Sequence, residues 1–573
     1  MLPILCALVV SACAPGTPTA SPAAQGQNAG QTQAARPPTR TLRMVLRAEP
    51  QALAGTVLIA NGITNSTERR LFNAGLTIEE GDGTYHPYLA EALPQLDTDS
   101  WKVNSDGTMD TTWRLRQNLT WQDGAPLTAD DFVFARKIYA TPEFGTSGSA
   151  PHSLMTDVTA PDPQTVVIHW KQPYPDADKI EGFATLAFAP LPAHILEPLY
   201  EKDKDAFPRD PFWTTGFVSA GPFKVDNWVS GAFIDAVAFD GHALGRPKID
   251  RMHITWNADF NATLASFLAG EADVPGDDSI RVDQGLILEQ KWATSKGGTV
   301  DYRPQLPRLV QVQHRPEFAN PPAVLDLRVR QALAMDIDKN AINASLFQGK
   351  ALLSDSLIAP SLPYFPLVDQ AVVKYPYDPQ RAAQLLTDAG YAKDSSGSFS
   401  DQSGSHLSLE IRNIQSAQND SERSIMADGW RRLGLEISED VFTPDQTRDG
   451  ETLGKFRSLS TTSAAVAPEG IILFDYTTKA ISGPQNQWIG NNRGGWASPE
   501  YDQLINAWLT TLDPDQRHQQ VAQAMRVLTG DLGFIPLYFN PGVIVSPAGL
   551  TGVGVKAPEV ETTWNIYEWQ WTQ

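Results

Sequence analysis

Bond-making chemistry needs particular side chains at particular spacings, and this chain of 573 residues offers few such sets. Its nine histidines include no pair four residues apart, so the two-histidine helix face of a zinc protease is missing. No serine has glycine two residues to either side, which removes the nucleophile elbow of an α/β-hydrolase. Gly349-Lys350 is followed by Ala351, so no phosphate-cradling loop forms there. Gly552-Val553-Gly554-Val555-Lys556-Ala557 imitates a dinucleotide fingerprint, but too little chain follows for the required βαβ unit. Asp97-Thr98-Asp99 and Asn104-Ser105-Asp106-Gly107 miss calcium-loop spacing, because Lys102 stands where the first acid belongs. The only two cysteines, Cys6 and Cys13, lie at the N-terminus, leaving the rest without thiol nucleophile, disulfide or zinc ribbon. The paired carboxylates of a retaining glycosidase need no local motif and stay open among the 66 acids.

Binding chemistry is better represented. Ile481 to Trp496 is a Gly- and Asn-rich stretch carrying two tryptophans and one arginine. Recognition residues concentrate on such loops when a rigid scaffold presents them. Trp488 and Trp496 can line a pocket by stacking, and Asn486, Asn492 and Arg493 can hydrogen-bond a polar ligand. Equally, both indoles can be core. With 15 tryptophans against 8 methionines, a sugar ring remains as open a cargo as a peptide side chain.

The elements that must hold such a loop are a mixture of helices and strands. Leu42 to Leu46 alternates like an opening strand, and Thr165 to Trp170 is β-branched and flanked by Pro163 and Pro173. Thr128 with Asp131 reads as a capping box, behind which Phe132, Ala135 and Tyr139 share a helical face. Asp326 caps a helix carrying Val329, Leu333 and Ile337; Asp378-Pro379 opens one with Ala382, Leu385, Leu386 and Ala389, stopped by Gly390. Ser498-Pro499 begins a third with Tyr501, Leu504, Ile505 and Trp508, and Asp513-Pro514 a fourth with Val521, Met525 and Leu528, closed by Gly530. At about 150 residues per domain the length suggests two to four units. The formal net charge of −21 repels phosphate backbones, so no nucleic-acid partner is expected. No apolar run reaches the roughly 18 residues of a membrane-spanning helix.

The first residues read as an export signal. Leu2 to Val10 is a short apolar stretch, followed by Ser11-Ala12-Cys13, which resembles a bacterial lipobox with Cys13 as the lipidated residue. No basic residue precedes the apolar run, which departs from the usual signal. Residues 1–12 are therefore expected to be a signal peptide and 13–40 a flexible lipid-anchored linker, since Ala14 to Arg40 holds no Val, Ile, Leu or aromatic residue.

Five ordered blocks then resemble the family 5 solute-binding proteins of bacterial ABC importers. They are Tyr88-Leu89-Ala90-Glu91 with Trp113 to Arg116 and Trp121 to Phe132; Gly221-Pro222-Phe223-Lys224-Val225; Leu268 to Asp273; Asp326 to Asp338; and Tyr377-Asp378-Pro379 through Ala389-Gly390-Tyr391. The resemblance implies an α/β fold, two-lobed and periplasmic-binding-protein-like (class II, the large family 5 type), with an extra subdomain in lobe I. Lobe I would span 41–309 with 77–217 as the subdomain, lobe II 310–535, and 536–573 would return to lobe I. The crossings are expected near Leu309-Val310-Gln311-Val312 and Ile535-Pro536-Leu537-Tyr538.

The same resemblance implies a non-enzymatic, lipid-anchored extracytoplasmic receptor in the periplasm or at the cell surface. It would need no cofactor or bound metal, and would deliver peptide or another small solute to a permease and its ATPase subunits. An oligosaccharide or a metal chelate on the same scaffold, or a secreted hydrolase, are the alternatives. In peptide-binding relatives an Asp-Tyr pair late in lobe II receives the ligand ammonium, and Asp475-Tyr476 matches it. The Pro that usually follows is replaced by Thr477 to Ala480, and Glu469 stands where an Arg is common. A strand-end aspartate satisfied by backbone is the other reading of Asp475.

Overall fold

Leu42–Leu46 does form a strand, parallel to Arg251–Trp256 on one side and to Val274–Pro275 on the other. A computed structural model describes residues 40–56, 58, 67–145, 147, 150–180, 188–276, 278–443, 445–464, 471–555, 557 and 560–572. Residues 1–39, on which the expected signal peptide, Cys6, Cys13 and nearly all of the expected linker fall, lie outside the described residues, as do Glu469 and Lys556. Phe233–Ala238 and Phe223–Val229 complete a five-stranded sheet by antiparallel pairing.

A second sheet of four strands runs Trp101–Val103, Met109–Arg114, Thr165–Trp170, Met155–Asp162 in spatial order. The strand at Thr165–Trp170 alternates as its sequence predicts, with Val166, Ile168 and Trp170 buried. One apolar cluster containing Leu42, Met44, Trp113, Ile168 and Ile254 joins both sheets. Polar side chains reinforce the join. Trp121 Nε1 and the Thr128 backbone N–H both donate to Asp131 Oδ2, at 3.2 and 2.9 Å, and the Ala193 N–H donates to Oδ1 at 3.0 Å. The capping box is therefore real, and its acid also anchors a second segment. Gln122 donates to the carbonyls of Gly221 and Phe223 (3.1 and 2.7 Å), so two of the ordered sequence blocks clasp each other. Gly221 cannot be larger, because a Cβ there would fall 2.2 Å from the Phe72 backbone.

A six-stranded sheet organises the rest, in the order Leu352–Leu353, Phe534–Pro547, Gly298–Val312, Leu459–Ser463, Ser408–Ile414, Glu436–Phe442. Its two long strands pair antiparallel from Gly298 opposite Pro547 to Gln311 opposite Phe534, with register shifts between Pro304 and Pro307 and between Arg308 and Leu309. The Val300–Val545 end packs with Leu288 and Trp292 of the helix Val282–Ser295. At the other end, Val310 and Val312 face a cluster with Ile411, Trp430 and Leu537, whereas Leu309 faces one with Tyr476, Trp496, Tyr501 and Phe534. Leu309 to Gln311 and Phe534 to Pro536 are thus paired strand segments with a different apolar cluster on each face.

The local helix signals hold with one exception. Asp378, Ser498 and Asp513 cap Pro379–Asp388, Pro499–Trp508 and Pro514–Gly530. Asp326 caps Leu327–Met335, but that helix ends before Ile337. Asp338 caps a new helix, Lys339–Phe347, so Ile337 is buried in the connector between them. No helix among the described residues is long and apolar enough to cross a membrane.

Candidate ligand site

The face of the six-stranded sheet that carries Leu309 and Gln311 is covered by the short helix Ile471–Phe474 and by the loop from Ile481 to Trp496. Asp475 lies just past that helix rather than at the end of a strand. Tyr476 beside it is buried, its ring 4.9 Å from Phe534.

Arg315, immediately beyond the Gly298–Val312 strand, fixes the loop. Its guanidinium donates to the carbonyls of Ser482 (2.8 Å), Gly454 (2.5 Å) and Arg493 (2.5 Å), and its Nε to Gln313 Oε1 at 3.0 Å. Gln311 donates to the Asn491 carbonyl at 3.1 Å. Gly494 sits so close to the strand end that a Cβ would fall 2.2 Å from the Val312 carbonyl oxygen. No sequence pattern singles out Arg315, because its partners are backbone carbonyls more than a hundred residues away.

Inside this frame the predicted residues divide into two groups. Asn492, 2% exposed, donates to the carbonyls of Tyr476, Thr477 and Trp496 at 3.3, 3.2 and 2.7 Å and accepts from the Trp496 N–H at 3.1 Å. The Trp496 indole is buried, donates to Asp531 Oδ2 at 2.7 Å and meets Tyr501 edge-on. Asn486 closes its own turn, accepting from the Gly483 N–H at 3.0 Å and donating to the Ile481 carbonyl at 2.9 Å. Trp488 adopts φ 64°, unusual for so bulky a residue, and lies half-buried over Gly454 with Phe318 at 6.3 Å.

Asp475 and Arg493 behave differently. Both are half-buried. Among the described residues neither forms an ion pair, and the Arg493 guanidinium has no hydrogen-bond partner, although each feels the other's charge. Burial pushes the Asp475 carboxyl up, opposed by a hydrogen bond from the Asn491 side chain and by the Arg493 charge. Burial likewise pushes Arg493 down, opposed by Tyr476 and Asp475. Two opposite charges are therefore held near one another, partly removed from water and left apart. Such groups are stabilised when a partner supplies the missing charge.

A family model described as bacterial extracellular solute-binding proteins, family 5 middle, matches residues 91–477. The chain belongs to this family. Among curated relatives of this family 5 protein, one from Brucella ovis, named as an ABC transporter peptide-binding protein, is 28% identical over 296 residues. That match covers 51% of each chain, so this chain spans about half the length of such relatives. The oligopeptide-binding protein AppA of Bacillus subtilis is 23% identical over 500 residues, 84% of this chain and 82% of its own. AppA in complex with a nonapeptide superposes with a TM-score of 0.67 at 19% identity, covering 94% of this chain and 100% of AppA. NikZ of Campylobacter jejuni in complex with Ni(L-His) gives 0.70 at 21% identity, covering 92% and 99%. These superpositions show the two-lobed α/β fold that the sequence blocks imply.

Proposed function

We propose that this protein is the substrate-binding component of an ABC importer. It captures an extracytoplasmic peptide between two closing lobes and delivers it to the permease, whose ATPase subunits hydrolyse ATP. It acts by reversible binding, without bond chemistry, and is held at the membrane by a lipid on Cys13. Lobe I comprises 41–309, with 77–217 as an added subdomain, and 536–573; lobe II comprises 310–535.

The observation that carries this reading is the half-buried pair Asp475 and Arg493, two charges without an ion pair among the described residues, beside a loop that Arg315 and Asn492 hold through its backbone. Asp475 receives the ligand ammonium and Arg493 an anionic group. Trp488 and Asn486 lie at the outer end of the loop, while Tyr476, Asn492 and Trp496 support it from beneath. Closure is assisted by Arg517, which donates to Asp176 at 2.8 Å and lies over Trp508 with its guanidinium carbon 4.4 Å from the ring centre. Leu512, next to that helix, packs against the lobe I cluster. Closing the cleft removes water and strengthens each enclosed polar contact.

Native mass spectrometry of the protein expressed without its lipid, before and after mild denaturation, tests the cargo. A ladder of co-purified peptide masses is expected. A single non-peptide mass, such as a metal chelate or an oligosaccharide, would contradict the peptide assignment.

A further inference from the structure

The arginine within the ligand loop and the one that pins it differ in a way that bears on which peptides are taken. Arg493 belongs to the loop between Ile481 and Trp496, Arg315 reaches it from the strand end, and burial lowers the pKa of both. Arg315 has its donors directed at three carbonyls and the Gln313 amide. Arg493 has none engaged among the described residues, yet its backbone is fixed: its carbonyl accepts from Arg315 and its neighbours Asn492 and Gly494 are locked in place. Half-buried but still in reach of water, the Arg493 guanidinium is free to exchange its solvent for a ligand carboxylate without first breaking a protein contact.

The Asn492 side chain, which donates to the Tyr476 and Thr477 carbonyls at 3.3 and 3.2 Å, brings the backbone of Arg493 alongside that of Asp475 and adds a second constraint. A bare ammonium docked on the Asp475 carboxylate enters the field of the Arg493 guanidinium and is repelled. A ligand that carries its own carboxylate close to that ammonium removes the repulsion and supplies the guanidinium with a bidentate acceptor. The protein's net charge of −21 provides no general attraction for an acidic ligand, so a local cation is required to hold one.

We infer that Arg493 is a specificity-determining residue: it selects peptides bearing an acidic side chain in the first or second position, next to the free ammonium, over neutral or basic ones. This inference rests on the assignment of the Asp475 loop as the peptide site.

The test is calorimetric titration of ligand-stripped, refolded protein with the tripeptides alanyl-glutamyl-alanine, alanyl-glutaminyl-alanine and alanyl-lysyl-alanine, for the native chain and for Arg493→Gln and Arg493→Lys. Thermal melts of the free proteins confirm that the variants fold. The native protein should prefer the glutamyl over the glutaminyl peptide by about tenfold or more, the effect of one charge-assisted hydrogen bond. In Arg493→Gln that preference should fall to about twofold or less, with the glutaminyl peptide bound at least as tightly as before. Arg493→Lys should retain a reduced preference. Equal binding of the glutamyl and glutaminyl peptides by the native protein, or a preference unchanged in Arg493→Gln, overturns the role of Arg493 and leaves the peptide site standing. Failure of all three peptides to bind overturns the peptide site and this inference together.

Discussion

Two charged sites lie on opposite faces of the six-stranded sheet, and they are built on opposite plans. On the Val310 face, Arg308 and Glu422 are almost fully buried and joined by two hydrogen bonds of 3.1 and 2.9 Å. The Tyr538 hydroxyl donates to Glu422, and Arg308 donates to Ser463 at 3.2 Å. Although burial opposes it, Glu422 and Tyr538 hold Arg308 above its usual pKa. On the Leu309 face, Asp475 and Arg493 are only half-buried, and neither forms an ion pair among the described residues. The deeper pair is closed on itself and ties the two long strands to the helix Ala417–Leu433. The shallower pair is left open beside a loop that Arg315 and Asn492 hold through backbone carbonyls. A closed charge network fixes backbone, and an open one is, on the proposed function, available to a ligand.

Breaking the closed network should have the largest effect. Glu422→Ala leaves a buried guanidinium without its carboxylate and should lower unfolding stability by about 3–5 kcal/mol in chemical denaturation. A loss under about 1 kcal/mol would mean that this network is no more structural than the open pair.

Asp336 sharpens the comparison, because it is an open carboxylate with no role in the ligand loop. It is 5% exposed, its Oδ2 has no hydrogen-bond partner among the described residues, and burial raises its pKa to about 6 against the opposing charge of Arg432. The folded state therefore binds this proton more tightly than the unfolded chain. Stability from this group increases as pH falls from about 6 towards 4, and ionisation destabilises the fold above pH 6. Asp336→Asn should stabilise the protein at pH 8 by about 1–2 kcal/mol, the full shift discounted for solvent screening, and should flatten the denaturation profile between pH 4 and 6. An unchanged pH profile would show that Asp336 has a partner in solution.

What the sequence makes legible follows the range of each interaction. Asp326, Asp378, Ser498 and Asp513 cap helices whose first N–H groups lie two or three residues away, so a short window contains the whole signal. The early end of the Asp326 helix also has a local cause, the second cap at Asp338, which the regular spacing of Val329, Leu333 and Ile337 conceals. In the ligand loop, residue type marks the region but not the division of roles. Asn492 and Arg493 are neighbours of similar polarity, yet one is engaged by three carbonyls and the other by none. That division depends on where the Tyr476 and Trp496 backbones come to lie, which no local window contains. The Arg308–Glu422 pair is likewise invisible locally, its members standing 114 positions apart.

The central claim is that Asp475 is kept open for a ligand and not for the fold. Asp475→Asn tests it in one comparison, with chemical denaturation of the ligand-free protein set beside peptide affinity measured by calorimetry. Free-state stability should stay within about 1 kcal/mol of the native chain, or rise slightly since a half-buried charge is removed, while peptide affinity should fall at least tenfold. Unchanged affinity, or a stability loss as large as that expected for Glu422→Ala, would place Asp475 among the structural charges and contradict the account.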